Sequence, residues 1–155
     1  MFDFRRMLIL GVMISGLSGC SFHPSMSNDP KIRLQEYISK TFVIKSVSDR
    51  EALLGYLGGD AHQRLATWTD EQFREAFIDS KREFVRLVFS DIKPVSSQRV
   101  DITYELTYLD QKKGSDAKVT NKKLAELDLT DGKWMISDVR NIKQLIEYRD
   151  EMSLP

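Results

Sequence analysis

Cysteine is nearly absent from this chain: Cys20 stands alone among 155 residues. An intramolecular disulfide is therefore excluded, and so is a zinc centre built on several thiolates. Histidine is almost as scarce, with only His23 and His62 present. A metal site would have to be completed by carboxylates, and their spacing gives no sign of one; no metal is expected. Neither sign of charge is in excess, with 23 Lys and Arg against 23 Asp and Glu. That balance excludes the concentrated basic footprint of a nucleic-acid binder. The lysine pairs Lys112-Lys113 and Lys122-Lys123 read as solvated hairpin positions. No apolar run reaches the ~20 residues that a membrane-spanning helix needs. The chain also lacks a Gly-x-Ser-x-Gly elbow, a phosphate loop, a dinucleotide fingerprint, internal repeats and low-complexity blocks. No cofactor is implied.

What is present begins with the setting of that one thiol. Asp3, Arg5 and Arg6 form a charged start, Met7 to Gly16 is a short apolar run, and Leu17-Ser18-Gly19-Cys20 follows. Charged head, apolar stretch and small residues are the parts of a secretory signal peptide. The four-residue ending resembles the lipobox of bacterial lipoproteins. The resemblance implies that residues 1–19 are removed and that Cys20 becomes a lipidated first residue, the chain's link to a membrane. The alternative is an ordinary signal peptide that leaves Cys20 as a free thiol or one that pairs with another chain. Several acyl chains anchor stably where one does not, so an anchored protein is expected in the bacterial cell envelope. Ser21 stands where an aspartate would favour inner-membrane retention, which leans the expectation towards the outer membrane, facing the periplasm. Residues 20–30, with Ser, Asn, Asp and two prolines, read as a tether in which His23 is solvated. Residues 31–155 are left as one domain.

Within that domain, Ile32, Leu34, Tyr37, Ile38 and Phe42 give a helical stripe. Ser48 and Glu51 have capping-box spacing ahead of a helix that stops at Gly58-Gly59, and Ala61, Leu65 and Trp68 share a face beyond it. Thr69 and Gln72 make a second capping box. The apolar spacing through Phe73, Phe77, Phe84, Leu87 and Val88 predicts a long helix behind it that ends before Pro94. The period then changes to two. Val100, Ile102, Tyr104, Leu106 and Tyr108 alternate with Asp101, Thr103, Glu105 and Thr107 in a half-buried strand. A second strand, Val119 to Leu129, loses its alternation between Lys123 and Ala125, which predicts a bulge or a strong bend. Asp131-Gly132 signals a hairpin into a third strand, Trp134 to Val139. Ile142, Leu145 and Ile146 predict a final helix running to about Met152.

Helices followed by antiparallel strands are an α+β order. The segment AELDLTDGKWMISDVRNI, residues 125–142, resembles the closing hairpin of the nuclear transport factor 2-like, or cystatin-like, cone fold. The resemblance implies N-terminal helices packed on a curved antiparallel sheet, to which the C-terminal helix is an addition. It also implies a pocket on the concave face, with Tyr104, Tyr108 and Trp134 as candidate lining. Enzymes, carriers and accessory subunits all use such folds, so the fold does not choose among them. The favoured expectation is a membrane-anchored binding or scaffolding module for an envelope protein partner or a small apolar ligand. The polar strand face of Asp101, Thr103, Glu105 and Thr107 is the candidate surface for a homodimer. The alternative is a small isomerase or dehydratase using Asp138, which alternates with Trp134 and Ile136, together with tyrosine hydroxyls. His62 reads as a structural or solvated histidine.

Overall fold

A computed structural model describes residues 28–114 and 117–148. Four short helices precede a four-stranded sheet whose strands follow one another in the order β1-β2-β3-β4, each antiparallel to the next. Helix α1 spans Pro30–Thr41. Asp29 caps it by accepting a hydrogen bond from the Lys31 amide at 2.8 Å, and Pro30 occupies the first turn, where a missing N–H costs nothing. The next capping box is Ser46 with Asp49, at the 3-10 turn Val47–Asp49, rather than Ser48 with Glu51: the Asp49 carboxylate accepts from the amides of Lys45 and Ser46 at 2.9 and 3.0 Å. It leads into α2, Arg50–Leu54. Gly59, held at φ +49°, opens α3, Gly59–Ala66. The Thr69–Gln72 box forms as expected, with both reciprocal hydrogen bonds. It opens only α4, Asp70–Phe73, and a single wider turn of π-helix over Arg74–Ile78.

Here the expected fold class fails. The long helix does not continue: the chain reverses at Lys81, whose φ is +46°, and Arg82–Ser96 is strand β1. Among the described residues the final helix is absent as well, because β4 runs without interruption from Lys133 to Glu147; the expected end of that helix, near Met152, lies outside the described residues. A cone of strands crossed by one long helix and finished by a C-terminal helix is therefore replaced by a meander of four long strands. The reason lies in the pairing. Phe84, Leu87, Phe89, Ile92 and Pro94 stand opposite Tyr108, Leu106, Tyr104, Ile102 and Val100. Register shifts after Phe84, Phe89 and Pro94 insert an extra residue each time. The positions on the helix side of the sheet are thus spaced alternately by three and two, which breaks the period of two and leaves Phe84, Leu87 and Val88 at the three-and-four spacing of a helical stripe. The far edge does the same: Trp134, Ile136, Val139, Asn141, Gln144 and Ile146 share a line, with Ser137 and Ile142 as the extra residues. Pro94 is tolerated inside β1 because an edge strand leaves its outer amides unpaired.

The central strands, β2 (Arg99–Asp110) and β3 (Lys118–Thr130), pair with no register shift. Asp131 and Gly132 both take positive φ, +51° and +76°, in the two-residue turn that joins β3 to β4. One core unites Leu34, Leu53, Leu57, Leu65 and Phe73 with Ile102, Ala125, Leu127 and Ile136. Arg33 is buried with them. Its guanidinium donates to the carbonyls of Trp134 and Gly55 and lies 4.1 Å from the Tyr56 ring, tying α1, the end of α2 and β4 together. The segment after α2 is also stitched to β4: Gly58 N–H donates to Ile136 O at 2.9 Å and Ile136 N–H to Tyr56 O at 3.0 Å.

Candidate ligand-binding cavity

The inward lines of the strands are not apolar throughout. On β3 that line reads Val119, Asn121, Lys123, Ala125, Leu127. The loss of alternation at Lys123 is no bulge in β3; it is a lysine standing at an inward position, opposite Tyr104 on β2 and Asn141 on β4. Lys123 is therefore not the solvated hairpin residue that its neighbour suggested, while Lys122 does face the other way, opposite Glu105.

Around Lys123 the helices and sheet leave a cavity of about 550 Å³. Tyr37, Ile38, Thr41 and Phe42 of α1 form one wall, and Trp68, Ala76 and Phe77 another. The floor takes residues from every strand: Arg82, Tyr104 and Leu106, Lys123, and Val139. A depression of about 630 Å³ on the outer side of α1, bounded by Ile32, Gln35, Glu36, Ser39, Lys40, Val43 and Tyr56, opens more broadly to the surface and takes no residue from the sheet.

Two cations face this space, whose lining is polar and apolar in similar measure, and none of the described residues lining it is acidic. Burial pushes the Lys123 ammonium below the usual lysine range, and the Arg82 charge adds to the shift. Among the described residues the Lys123 ammonium makes no ion pair or hydrogen bond. Arg82 is partly engaged: its guanidinium donates to Ser80 Oγ at 3.1 Å and to the Ala76 carbonyl, and stacks near Phe77 and Tyr108. Burial holds the Tyr104 phenol well above its ordinary range, with Tyr37 a second cause. It raises Tyr37 too, against the opposing charge of Arg64. Both phenols stay protonated and able to donate. Beside them runs a polar ladder: Gln144 Nε2 donates to Asn121 Oδ1 at 2.8 Å, and Asn121 Nδ2 to Tyr108 Oη at 3.2 Å.

The residues singled out from the sequence are scattered across this map. Tyr104 lines the cavity. Tyr108 lies behind its wall, its ring 6.2 Å from Phe42 and its hydroxyl occupied by Asn121. Trp134 sits at the other end of β4, where Nε1 donates to Asn28 O at 3.0 Å. Asp138 does not share the line of Trp134 and Ile136, because the extra residue Ser137 gives that place to Val139. Its carboxylate pairs with Arg64 at 2.5 Å and Arg140 at 3.6 Å, and the Arg64 hydrogen bond holds it below the usual carboxylate range. Asp101, Thr103, Glu105 and Thr107 line the face turned away from the helices, where Thr107 is buried beside Thr120 at 3.1 Å between hydroxyl oxygens. His62 is exposed on α3. Residues 1–19, Cys20 and the tether as far as residue 27 lie outside the described residues. Arg82 and Lys123 were not singled out, although two polar residues at alternate positions of an apolar strand line, Asn121 and Lys123, are visible in the sequence.

No known family model matches the chain, and no curated protein matches it. Among solved structures it is similar to a SEC-C motif containing protein from Rhodopseudomonas palustris, determined in solution. The TM-score is 0.55 at 11% identity, over 75% of this chain and 80% of that one. The likeness is one of fold. Among the described residues, no helix is long and apolar enough to cross a membrane, and no three His, Cys, Asp or Glu side chains group as metal ligands would.

Proposed function

We propose that this chain is a non-catalytic binding module that takes a small apolar ligand into the cavity between α1, the Trp68–Phe77 segment and the sheet, and that Cys20 tethers it by lipid to a bacterial envelope membrane. The observation that carries the binding part is the cavity itself. At about 550 Å³ it falls within the roughly 300–1,000 Å³ of small-molecule sites, and its lining sets Phe42, Trp68, Phe77 and Val139 beside the polar groups of Tyr37, Tyr104, Arg82 and Lys123. The described lining includes no carboxylate or histidine that could move a proton, which favours holding over turnover. The tether part rests on Leu17-Ser18-Gly19-Cys20. Confinement to a membrane surface raises a module's effective concentration towards ligands that partition there.

Uptake of the neutral fluorophore N-phenyl-1-naphthylamine tests the binding part. The expected result is one saturable site with blue-shifted emission, lost in Val139→Phe, which fills the cavity floor. Absence of saturable uptake by the native chain contradicts it. Intact mass and membrane fractionation of the native chain beside Cys20→Ala test the tether. Acyl mass on a chain beginning at Cys20, with only the variant released, is expected; a soluble native chain without added mass sinks the anchor.

A further inference from the structure

We infer that the cavity selects apolar molecules that end in a single ionised acid group, with Lys123 as the residue that holds the acid. This rests on the cavity being a ligand site, as proposed above, and adds the chemistry of what enters it.

The argument starts from cost. An ammonium group drawn out of water into an apolar surrounding loses hydration, and proteins normally compensate with a carboxylate or with acceptors. Elsewhere in this chain that compensation is common: Arg50 pairs with Asp70, Arg64 with Asp138, Arg99 with Asp128 and Glu126, and Lys118 with Glu147. Lys123 is half-buried and has no such partner among the described residues, and the charge that acts on it, Arg82, is of the same sign. A lysine at this place works against the fold, since Ala125 and Leu127 continue the same inward line as apolar residues. An anion entering the cavity would remove the conflict.

The surroundings narrow the class. Arg82 already spends donors on Ser80 and Ala76, so its charge helps to attract an anion while Lys123 supplies the unengaged donors. That matches one negative charge better than two. The phenols of Tyr37 and Tyr104, which have no hydrogen-bond partner among the described residues, stand on the same cavity wall and floor as further donors to an acid oxygen. The remaining surface is aromatic or aliphatic: Phe42, Trp68, Phe77, Leu106 and Val139. Rings there suit a flat or chain-like apolar body. A neutral molecule of the same shape would leave the ammonium group desolvated and unpaired.

A matched pair of probes separates this inference from the reading it stands on. 1-Naphthaleneacetate and 1-naphthaleneethanol have nearly the same shape and differ in the charged end. Each is titrated calorimetrically into the purified full chain at pH 7.5, with a protein-free preparation as blank, and into Lys123→Met and Lys123→Arg. The acid is expected to bind native chain at least about 10-fold more tightly than the alcohol, as charge-assisted hydrogen bonds do relative to neutral ones. Lys123→Met should abolish that preference by weakening the acid, with the alcohol bound no more weakly than by the native chain; Lys123→Arg should keep most of it. Equal binding of acid and alcohol by the native chain overturns the acid selectivity and leaves the cavity as an apolar site. Binding of neither overturns both. A preference that survives in Lys123→Met overturns the role of Lys123. Should that variant not fold, as a melting curve would reveal, the native comparison and Lys123→Arg still decide.

Discussion

The two ends of the helix-facing side of the sheet are built from the same strands but finished differently. Towards the hairpin ends, Val100, Ile102, Ala125, Leu127 and Ile136 lie with Leu34, Leu53 and Leu57 in one core, each at most 4% exposed. A few residues along the same strands, Tyr104, Leu106, Lys123 and Val139 bound open space. The strand spacing does not account for the difference, because β2 and β3 pair continuously through both. What changes is the side chain at one inward position: alanine at 125 lets the layers close, while lysine at 123 carries a charge that a closed core would not tolerate. Closed packing supplies stability, and the interrupted packing supplies a site.

That contrast can be broken at several points. The largest effect is expected from truncation on the sealed side. Leu127→Ala should cost about 4 kcal/mol, because the surrounding core cannot collapse into the space, whereas Leu106→Ala should cost about 2 kcal/mol, since it widens a cavity that already exists. Urea denaturation of both variants makes the comparison, and equal losses would mean that the two ends are packed alike. Next comes the polar ladder beside the cavity. Asn121→Ala strands both Gln144 and the Tyr108 hydroxyl, and should cost about 2 kcal/mol by the same assay. A loss below a few tenths would mean that water replaces the asparagine without penalty.

Lys123→Met should act in the opposite direction, raising stability by about 1 kcal/mol, the usual gain when a binding residue that strains its surroundings is replaced by one that fits them. The sign with pH follows from burial. A lysine whose folded pKa lies below its unfolded value holds fewer protons when folded, so the destabilisation is fully present below the folded pKa. It fades as pH rises towards the ordinary lysine value of 10.5. The charge acting on it is that of Arg82 from β1, and the phenols of Tyr104 from β2 and Tyr37 from α1, which line the same cavity, are held above their ordinary range by burial. The stability gap between variant and native chain should therefore narrow on going from neutral pH to pH 10, as paired thermal melts would register; a constant gap would contradict the burial of the ammonium. The smallest effect belongs to Asp138→Asn. Its ion pairs lie at the partly exposed edge, so stability should fall by less than about 1 kcal/mol, and probe affinity should not change. A large loss of affinity would return Asp138 to the site.

The same opposition between strands explains how much the sequence reveals. β2 and the β3–β4 turn are legible because continuous pairing keeps a period of two, and Asp131-Gly132 suits the positive φ values of the turn. β1 and the second half of β4 are misread as helices. Their bulges break the period of two, and with both faces of β1 carrying apolar residues, Phe84, Leu87 and Val88 fall at helical spacing although Val88 is on the opposite face from Leu87. β-Branched and aromatic enrichment, as in Phe84-Val85 and Val88-Phe89, was the available counter-signal. The bulge at Ser137 likewise moved Asp138 off the line on which its alternation with Ile136 had placed it. Of the candidate site, only Tyr104 was legible. Lys123 was hidden because a lysine pair suggests solvent, and only the position of β3 between β2 and β4 shows that one member of the pair must point inward.

The most direct test is a methyl-resolved NMR titration of the full chain with 1-naphthaleneacetate. The account predicts shifts at Ile38, Leu106 and Val139, with Leu53, Leu127 and Ile136 unmoved as internal controls. Shifts spread equally over both groups, or confined to the sealed residues, would contradict the claim that the break in packing at Lys123 is where a ligand enters.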